Sequence, residues 1–217
     1  MNRMSLRLVR TLVVGVAAGA ALTACAPLLM GGAVVGAGMV ATDRRTSGTI
    51  VEDETIEVKA GGRIKEALGD RGGVSVTSFN RVVLLTGDVE TAADKATAEQ
   101  VAARVENVQS VVNELVVGLA RSFISRSRDA LLTSKVKASY IDAKDVFSNS
   151  IKVVTAHSTV YLMGRVTERE AHRAAEIARG VDGVQKVVRV FEIITEGELA
   201  NTQPRPATPV APASAPK

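Results

Sequence analysis

Cysteine, histidine and tryptophan are scarce in this sequence. Its 217 residues include one cysteine, two histidines and no tryptophan, and aromatic residues make up 3%. A single cysteine cannot form an internal disulfide or a Cys/His cluster, so we expect no metal site. Neither His157, in an expected turn, nor His172, on an expected helix surface, belongs to a nucleophile motif. We therefore expect a protein that is not an enzyme, with no small-molecule substrate and no cofactor apart from covalent lipid.

A general excess of positive charge is also lacking once the N-terminus is set aside. The chain has a formal net charge of +4, from 27 basic and 23 acidic residues. Arg3, Arg7 and Arg10 precede Cys25 and no acidic residue does, so 24 basic and 23 acidic residues remain beyond it. The overall charge therefore gives no reason to expect nucleic acid as a partner.

Residues 1–24 have the three parts of a secretory signal peptide: a basic start, an apolar run and small residues before a cysteine. The stretch Leu22-Thr23-Ala24-Cys25 resembles the bacterial lipobox. The resemblance implies a diacylglyceryl group on the Cys25 thiol and an acyl group on its freed amine, and several acyl chains anchor firmly. Ala26, where sorting to the inner membrane would need aspartate, implies the periplasmic face of the outer membrane.

An uncleaved transmembrane helix is the alternative for this region. The run from Thr11 to Ala41 carries no charge and is long enough to span a bilayer. Pro27 and the glycines of residues 31–38 count against a continuous helix.

Two low-complexity segments frame the rest of the chain. Residues 25–49 are expected to be the lipidated cysteine and a tether, and residues 196–217 a disordered tail rich in proline and alanine. A proline-rich ligand for a partner is the alternative for the tail.

Two segments about 76 residues apart match each other, and they define module 1, residues 50–118, and module 2, residues 119–195. Gly87 aligns with Gly164, and each is expected at a bulge or a close backbone approach. Each copy reads as helix, strand, strand, helix, strand, with a tight turn at Asn80-Arg81 or His157-Ser158. A strand that follows a helix pairs parallel more readily than as a hairpin. We therefore predict an α+β fold of two tandem αββαβ modules, each a three-stranded mixed sheet with two helices on one face.

This pattern resembles the BON domain, a module of bacterial envelope proteins associated with phospholipid membranes. The stretch Val160–Ala171 carries most of the resemblance. Together with the lipobox, Asp43–Thr46 and Leu132–Lys137, the chain resembles a family of outer-membrane lipoproteins with two BON domains. The resemblance implies a non-catalytic protein that binds anionic phospholipid, supports envelope integrity and can act at the division site.

The two modules differ in charge, which bears on their partners rather than on their fold. Module 1 has 7 basic and 12 acidic residues, whereas module 2 has 13 basic and 8 acidic residues. Five basic residues open module 2, with only Asp129 opposing them: Arg121, Arg126, Arg128, Lys135 and Lys137.

The first helix of module 2 is therefore the candidate lipid-binding site. The family resemblance carries over Leu131, Ser134, Lys135 and Lys137, and the charge pattern adds Arg126 and Arg128. Phe123 and Ile124 add apolar surface just upstream. The family relative has a tryptophan near the position of Leu131, so we expect weaker insertion here.

Other interpretations of this cluster stay open. It can be a solvated helix face, or it can dock on acidic module 1. A second function class is a periplasmic adaptor, in which module 1 docks an envelope assembly machine or a protease.

Overall fold

The computed structural model describes residues 43–143 and 148–202. The signal peptide, Cys25, the tether up to residue 42 and the tail beyond residue 202 lie outside the described residues.

Module 1 begins with a long helix that is followed by a mixed sheet. Its elements are α1 (Ser47–Leu68), a 3-10 turn (Gly69–Arg71), β1 (Gly72–Phe79), β2 (Val82–Val89), α2 (Ala92–Ala103), β3 (Ser110–Asn113) and β4 (Val116–Val117). Strand β1 runs antiparallel to β2, and β3 and the short β4 both run parallel to β2.

Module 2 repeats this order. Its elements are α3 (Phe123–Asp142), a 3-10 turn (Ser148–Ser150), β5 (Ile151–Ala156), β6 (Thr159–Val166), α4 (Glu168–Arg179), β7 (Lys186–Ile193) and a final helix α5 (Glu196–Thr202). Strand β5 is antiparallel and β7 parallel to the central β6. The predicted αββαβ modules with a parallel last strand are therefore confirmed.

The apolar periodicity of the sequence explains how each helix packs on its sheet. In α1 the residues Ile56, Ala60, Ile64 and Leu68 recur every four positions, and all four are buried against β2. In α3 the buried residues at the same spacing are Leu132, Val136 and Tyr140. Alanines fill the buried sides of α2 and α4, which lets these helices approach the sheets closely.

Both predicted hairpins form, and steric crowding explains why each of the two aligned positions is a glycine. Asn80, Arg81, His157 and Ser158 have φ angles of 49°, 67°, 52° and 55°, as a type I′ turn requires. A Cβ atom on Gly87 would lie 2.0 Å from the carbonyl oxygen of Gly73. A Cβ atom on Gly164 would lie 2.5 Å from the carbonyl oxygen of Ser150. The expected close backbone approach is therefore confirmed at both glycines.

The two sheets pack face to face, with the helices on the outside. The sheet faces that point away from the helices share one buried cluster: Phe79, Leu84, Ala156, Tyr161 and Met163. Leu84 and Met163 are fully buried. The modules therefore dock through their sheets, and α1 and α3 form parts of the outer surface.

Two segment predictions were wrong at their edges. Helix α1 begins at Ser47, and Asp43, Arg44 and Arg45 are partly buried in ion pairs, so residues 43–49 are not a free tether. Residues 196–202 form α5 instead of belonging to a disordered tail, because Leu199 is buried and the Thr195 hydroxyl accepts the Glu198 N–H. Neither short segment carries the apolar periodicity that marks a helix in a sequence.

Candidate lipid-binding site

Helix α3 is held firmly by its inner face. Leu132 and Val136 pack against the sheet, and the buried Tyr140 hydroxyl donates to the carbonyl oxygen of Ala174 at 2.9 Å. Burial raises the pKa of the Tyr140 phenol well above its usual value, so the hydroxyl stays a donor. The helix begins after Ser122, whose side chain accepts the N–H of Ser125.

The other faces of α3 carry the predicted site residues, and all six are exposed: Arg126, Arg128, Leu131, Ser134, Lys135 and Lys137. Helical spacing puts Arg128 and Lys135 along one edge of the exposed face and Arg126 and Lys137 along the other edge. The structure thus brings the six residues onto one helix surface.

Apolar side chains lie between and beyond these basic edges. Phe123, Ile124, Leu131 and Ile141 are 77%, 65%, 60% and 72% exposed. The sequence pattern did not single out Ile141. It directly follows the buried Tyr140, as Leu131 directly precedes the buried Leu132. Basic edges around an outward apolar stripe are typical of helices that lie in a membrane interface.

The four basic residues also have no acidic partner among the residues that the structure describes. In the described part of the chain, no carboxylate lies within ion-pair distance of Arg126, Arg128, Lys135 or Lys137. In module 1, by contrast, Lys59 and Arg63 on α1 both pair with Glu106 at 3.3 Å. The positive charge of α3 is therefore available to an external anion.

Arg121 is the exception in the predicted basic cluster. Its guanidinium bridges Asp88 of module 1, at 3.0 Å, and Asp129 of α3. Asp129 also accepts the N–H groups of His157 and Ser158 at 3.1 and 3.0 Å. Arg121 therefore fixes the start of α3 to module 1 and is not free for lipid.

Ser134 is exposed, but its hydroxyl donates to the carbonyl oxygen of Ala130 one turn earlier, at 3.1 Å. Its contribution to a lipid contact is therefore limited to the remaining lone pairs of its oxygen.

A cleft of about 300 Å³ borders the C-terminal half of α3, next to Lys137 and Ile141. Asp43 and Arg45 line it from the other side. Asp43 and Arg45 therefore lie beside the C-terminal half of α3.

Within residues 43–143 and 148–202, no helix has the length and apolarity needed to cross a bilayer. The same residues contain no group of three or more acidic, histidine or cysteine side chains placed to hold a metal ion.

The repeated helix-on-sheet module and its outward basic helix define the class of protein. The chain belongs to the BON domain family, which matches residues 52–118 and 128–195. It is 39% identical over 176 residues to the outer membrane lipoprotein DolP of Haemophilus influenzae, covering 80% of this chain and 90% of that protein.

Two further relatives are similar over most of their length. The 21 kDa hemolysin of Actinobacillus pleuropneumoniae is 32% identical, over 70% of this chain and 79% of the relative. Osmotically-inducible protein Y of Escherichia coli is 35% identical, over 64% of this chain and 72% of the relative. A solved structure of CdsD from Chlamydia trachomatis aligns with a TM-score of only 0.28 at 10% identity, over 64% of this chain and 95% of that one, which supports no argument.

The predicted family, the two BON domains and the outer-membrane lipoprotein class with its location are confirmed by these similarities. The related BON proteins are non-enzymatic binding proteins. Acylation of Cys25 and the lipid-binding residues stay predictions.

Proposed function

We propose that this outer-membrane lipoprotein, anchored through acylated Cys25, binds anionic phospholipid with the exposed face of α3. One observation carries the proposal: four basic side chains with no acidic partner among residues 43–143 and 148–202 border an exposed apolar stripe on an outer helix of module 2. BON domains of the matched family are associated with phospholipid binding, which is consistent with this assignment.

The energetics of the surface favour a lipid partner. Each basic residue near an anionic membrane contributes about 1 kcal/mol, so the four together give about 4 kcal/mol at low salt. Leu131 and its apolar neighbours add a smaller amount by burying part of their surface at the headgroup level. Such a surface binds weakly alone, and the lipid anchor would keep it close to the membrane.

Intramolecular docking is a poor alternative for α3. The modules pack through the sheet cluster of Leu84 and Met163, which contains no residue of α3. Among the described residues, Arg121 is the only one of the basic residues that open module 2 to pair with module 1.

Vesicle co-sedimentation tests the proposal. The chain from Ala26 onward keeps the compact unit Thr42–Lys217 but lacks the anchor. We expect it to sediment with phosphatidylglycerol-containing vesicles, to lose binding as salt is raised, and to ignore phosphatidylcholine vesicles. Equal binding to both vesicles, or binding to neither, contradicts the proposal.

Support of envelope integrity, including at the division site, rests on the family similarity. A strain without this protein should become more permeable to detergents, and a variant that has lost vesicle binding should not restore the barrier. Full restoration by that variant would favour an adaptor that acts through module 1.

A further inference from the structure

The connection between the modules exposes an unusual amount of apolar surface. Val116 and Val117, which form β4 of module 1, are 42% and 48% exposed, and Leu119 is 92% exposed. Phe123, at the start of α3, is 77% exposed. We call these four residues the linker ridge.

The linker ridge is held in place on both sides of Leu119. The N–H of Gly118 donates to the carbonyl oxygen of Val89 at 2.8 Å, which ties the connection to module 1. Two residues after Leu119, Arg121 is fixed to Asp88 and Asp129. Leu119 is therefore exposed from a turn whose backbone is held on both sides, and a backbone that is already ordered loses little conformational freedom on binding.

The charge around the ridge suits an anionic surface. From Leu115 to Arg128 the sequence contains three arginines and no acidic residue. Arg126 and Arg128 are exposed without an acidic partner in the described part of the chain, whereas Arg121 is neutralised. Phe123 also belongs to the exposed apolar side of α3, about 12 Å along the helix from Leu131.

We infer that the linker ridge inserts into the headgroup layer of an anionic phospholipid bilayer, with Leu119 as its deepest residue. Since Val116 and Val117 point to opposite faces of β4, one of these valines joins Leu119 at the bilayer, and module 1 contributes to the membrane contact through that side chain. This inference rests on the proposed function of α3 and adds a second contact point beyond the helix N-terminus. Two points of insertion would fix the tilt of α3 on the membrane.

The absence of tryptophan from the chain allows a direct test. In the chain from Ala26 onward, Leu119→Trp places a single fluorophore on the ridge, and Val58→Trp places one on α1, where Val58 is 76% exposed. On phosphatidylglycerol-containing vesicles we expect a blue shift and quenching by brominated acyl chains for Leu119→Trp, and neither for Val58→Trp. Leu119→Ser should weaken vesicle binding by about tenfold, because burial of a leucine contributes on the order of 1.4 kcal/mol or more.

Each other outcome has a distinct meaning. Normal sedimentation without a shift at Leu119→Trp overturns the inference and leaves the proposed function standing. A shift of equal size at Val58→Trp also overturns it, because insertion would not be specific to the ridge. A shift that needs no vesicles and grows with protein concentration would show that a second copy covers the ridge. Failure of the unmodified chain to sediment contradicts the proposed function itself.

Discussion

Asp53 and Asp129 occupy equivalent positions in the two modules, and each closes the hairpin of its own sheet. The Asp53 carboxylate accepts both N–H groups of the Asn80–Arg81 turn at 2.8 Å. Asp129 accepts those of the His157–Ser158 turn at 3.1 and 3.0 Å. Each aspartate also binds the arginine eight positions before it, so helix, turn and entering chain meet at one carboxylate.

Replacing Asp129 should destabilise the fold and the attachment of α3 together. Asp129→Ala leaves the two N–H groups of the His157–Ser158 turn and one nitrogen of the Arg121 guanidinium without their acceptor. This loss should lower the free energy of unfolding by about 2–4 kcal/mol. Urea denaturation measures this change. Asp142→Ala, at the exposed end of the same helix, is the control and should change it by less than about 0.5 kcal/mol. Similar effects of both substitutions would refute the role given to Asp129.

The contact between Arg44 and Glu170 predicts how stability depends on pH. Burial raises the pKa of the Glu170 carboxyl, but hydrogen bonds from Arg44 and the Thr167 N–H outweigh it and hold that pKa below its usual value. Glu170 therefore binds a proton less readily in the folded state than in the unfolded state. Its contribution to the free energy of unfolding is fully present above the ordinary pKa of 4.5 and is lost as the pH falls through the lower, folded-state pKa.

Arg44→Ala should raise the pKa of Glu170 in the folded state toward its unfolded value, so the variant should be less stable at neutral pH but lose less of its stability in acid. Thermal unfolding between about pH 3 and pH 7 should show a lower Tm for the variant near pH 7 and a shallower loss of Tm on the acidic side. Arg104→Ala, at an exposed arginine, serves as the control. An unchanged pH profile for Arg44→Ala would mean that Glu170 does not depend on Arg44.

Glycine-to-alanine substitution should have opposite effects at two sites. At Gly87, with a φ angle of 117°, a Cβ atom would lie 2.0 Å from the oxygen of Gly73, so Gly87→Ala should prevent stable folding. At Gly62, on the open side of α1, a Cβ atom meets nothing within 4 Å. Gly62→Ala should therefore raise the free energy of unfolding by about 0.5–1 kcal/mol. Thermal melts of the two variants test both expected changes in stability. A stable Gly87→Ala protein would contradict the close approach of Gly87 to Gly73.

The fold was predictable because the repeat and the apolar periodicity are local signals. The four-residue spacing from Ile56 to Leu68 fixes one face of α1, and the paired turns fix the hairpins. The face-to-face docking had a weaker signal, the unbroken apolar runs of residues 82–85 and 160–163. Such runs indicate a strand that is buried on both faces, but they do not identify which element packs on the face opposite the helices.

The candidate site was predictable only in part. Leu131 lies off the buried stripe of α3, so its exposure follows from helical geometry. Whether a basic residue has an acidic partner depends on contacts between distant segments, which is why Arg121 looked like Arg126 in the sequence. Arg44 and Arg45 looked like tether residues for the same reason, since Glu170 and Asp53 meet them only in the folded chain.

Lys135 and Lys59 provide the most direct test of the central claim that α3 is the lipid-binding helix. They occupy equivalent positions in the two modules, but Lys59 pairs with Glu106 and Lys135 has no acidic partner in the described part of the chain. In co-sedimentation with phosphatidylglycerol-containing vesicles, Lys135→Glu should weaken binding by about 10- to 30-fold, because the charge changes by two units near the membrane. Lys59→Glu should leave binding within about twofold of the unmodified chain. Equal losses for both variants, or no loss for Lys135→Glu, would contradict the account.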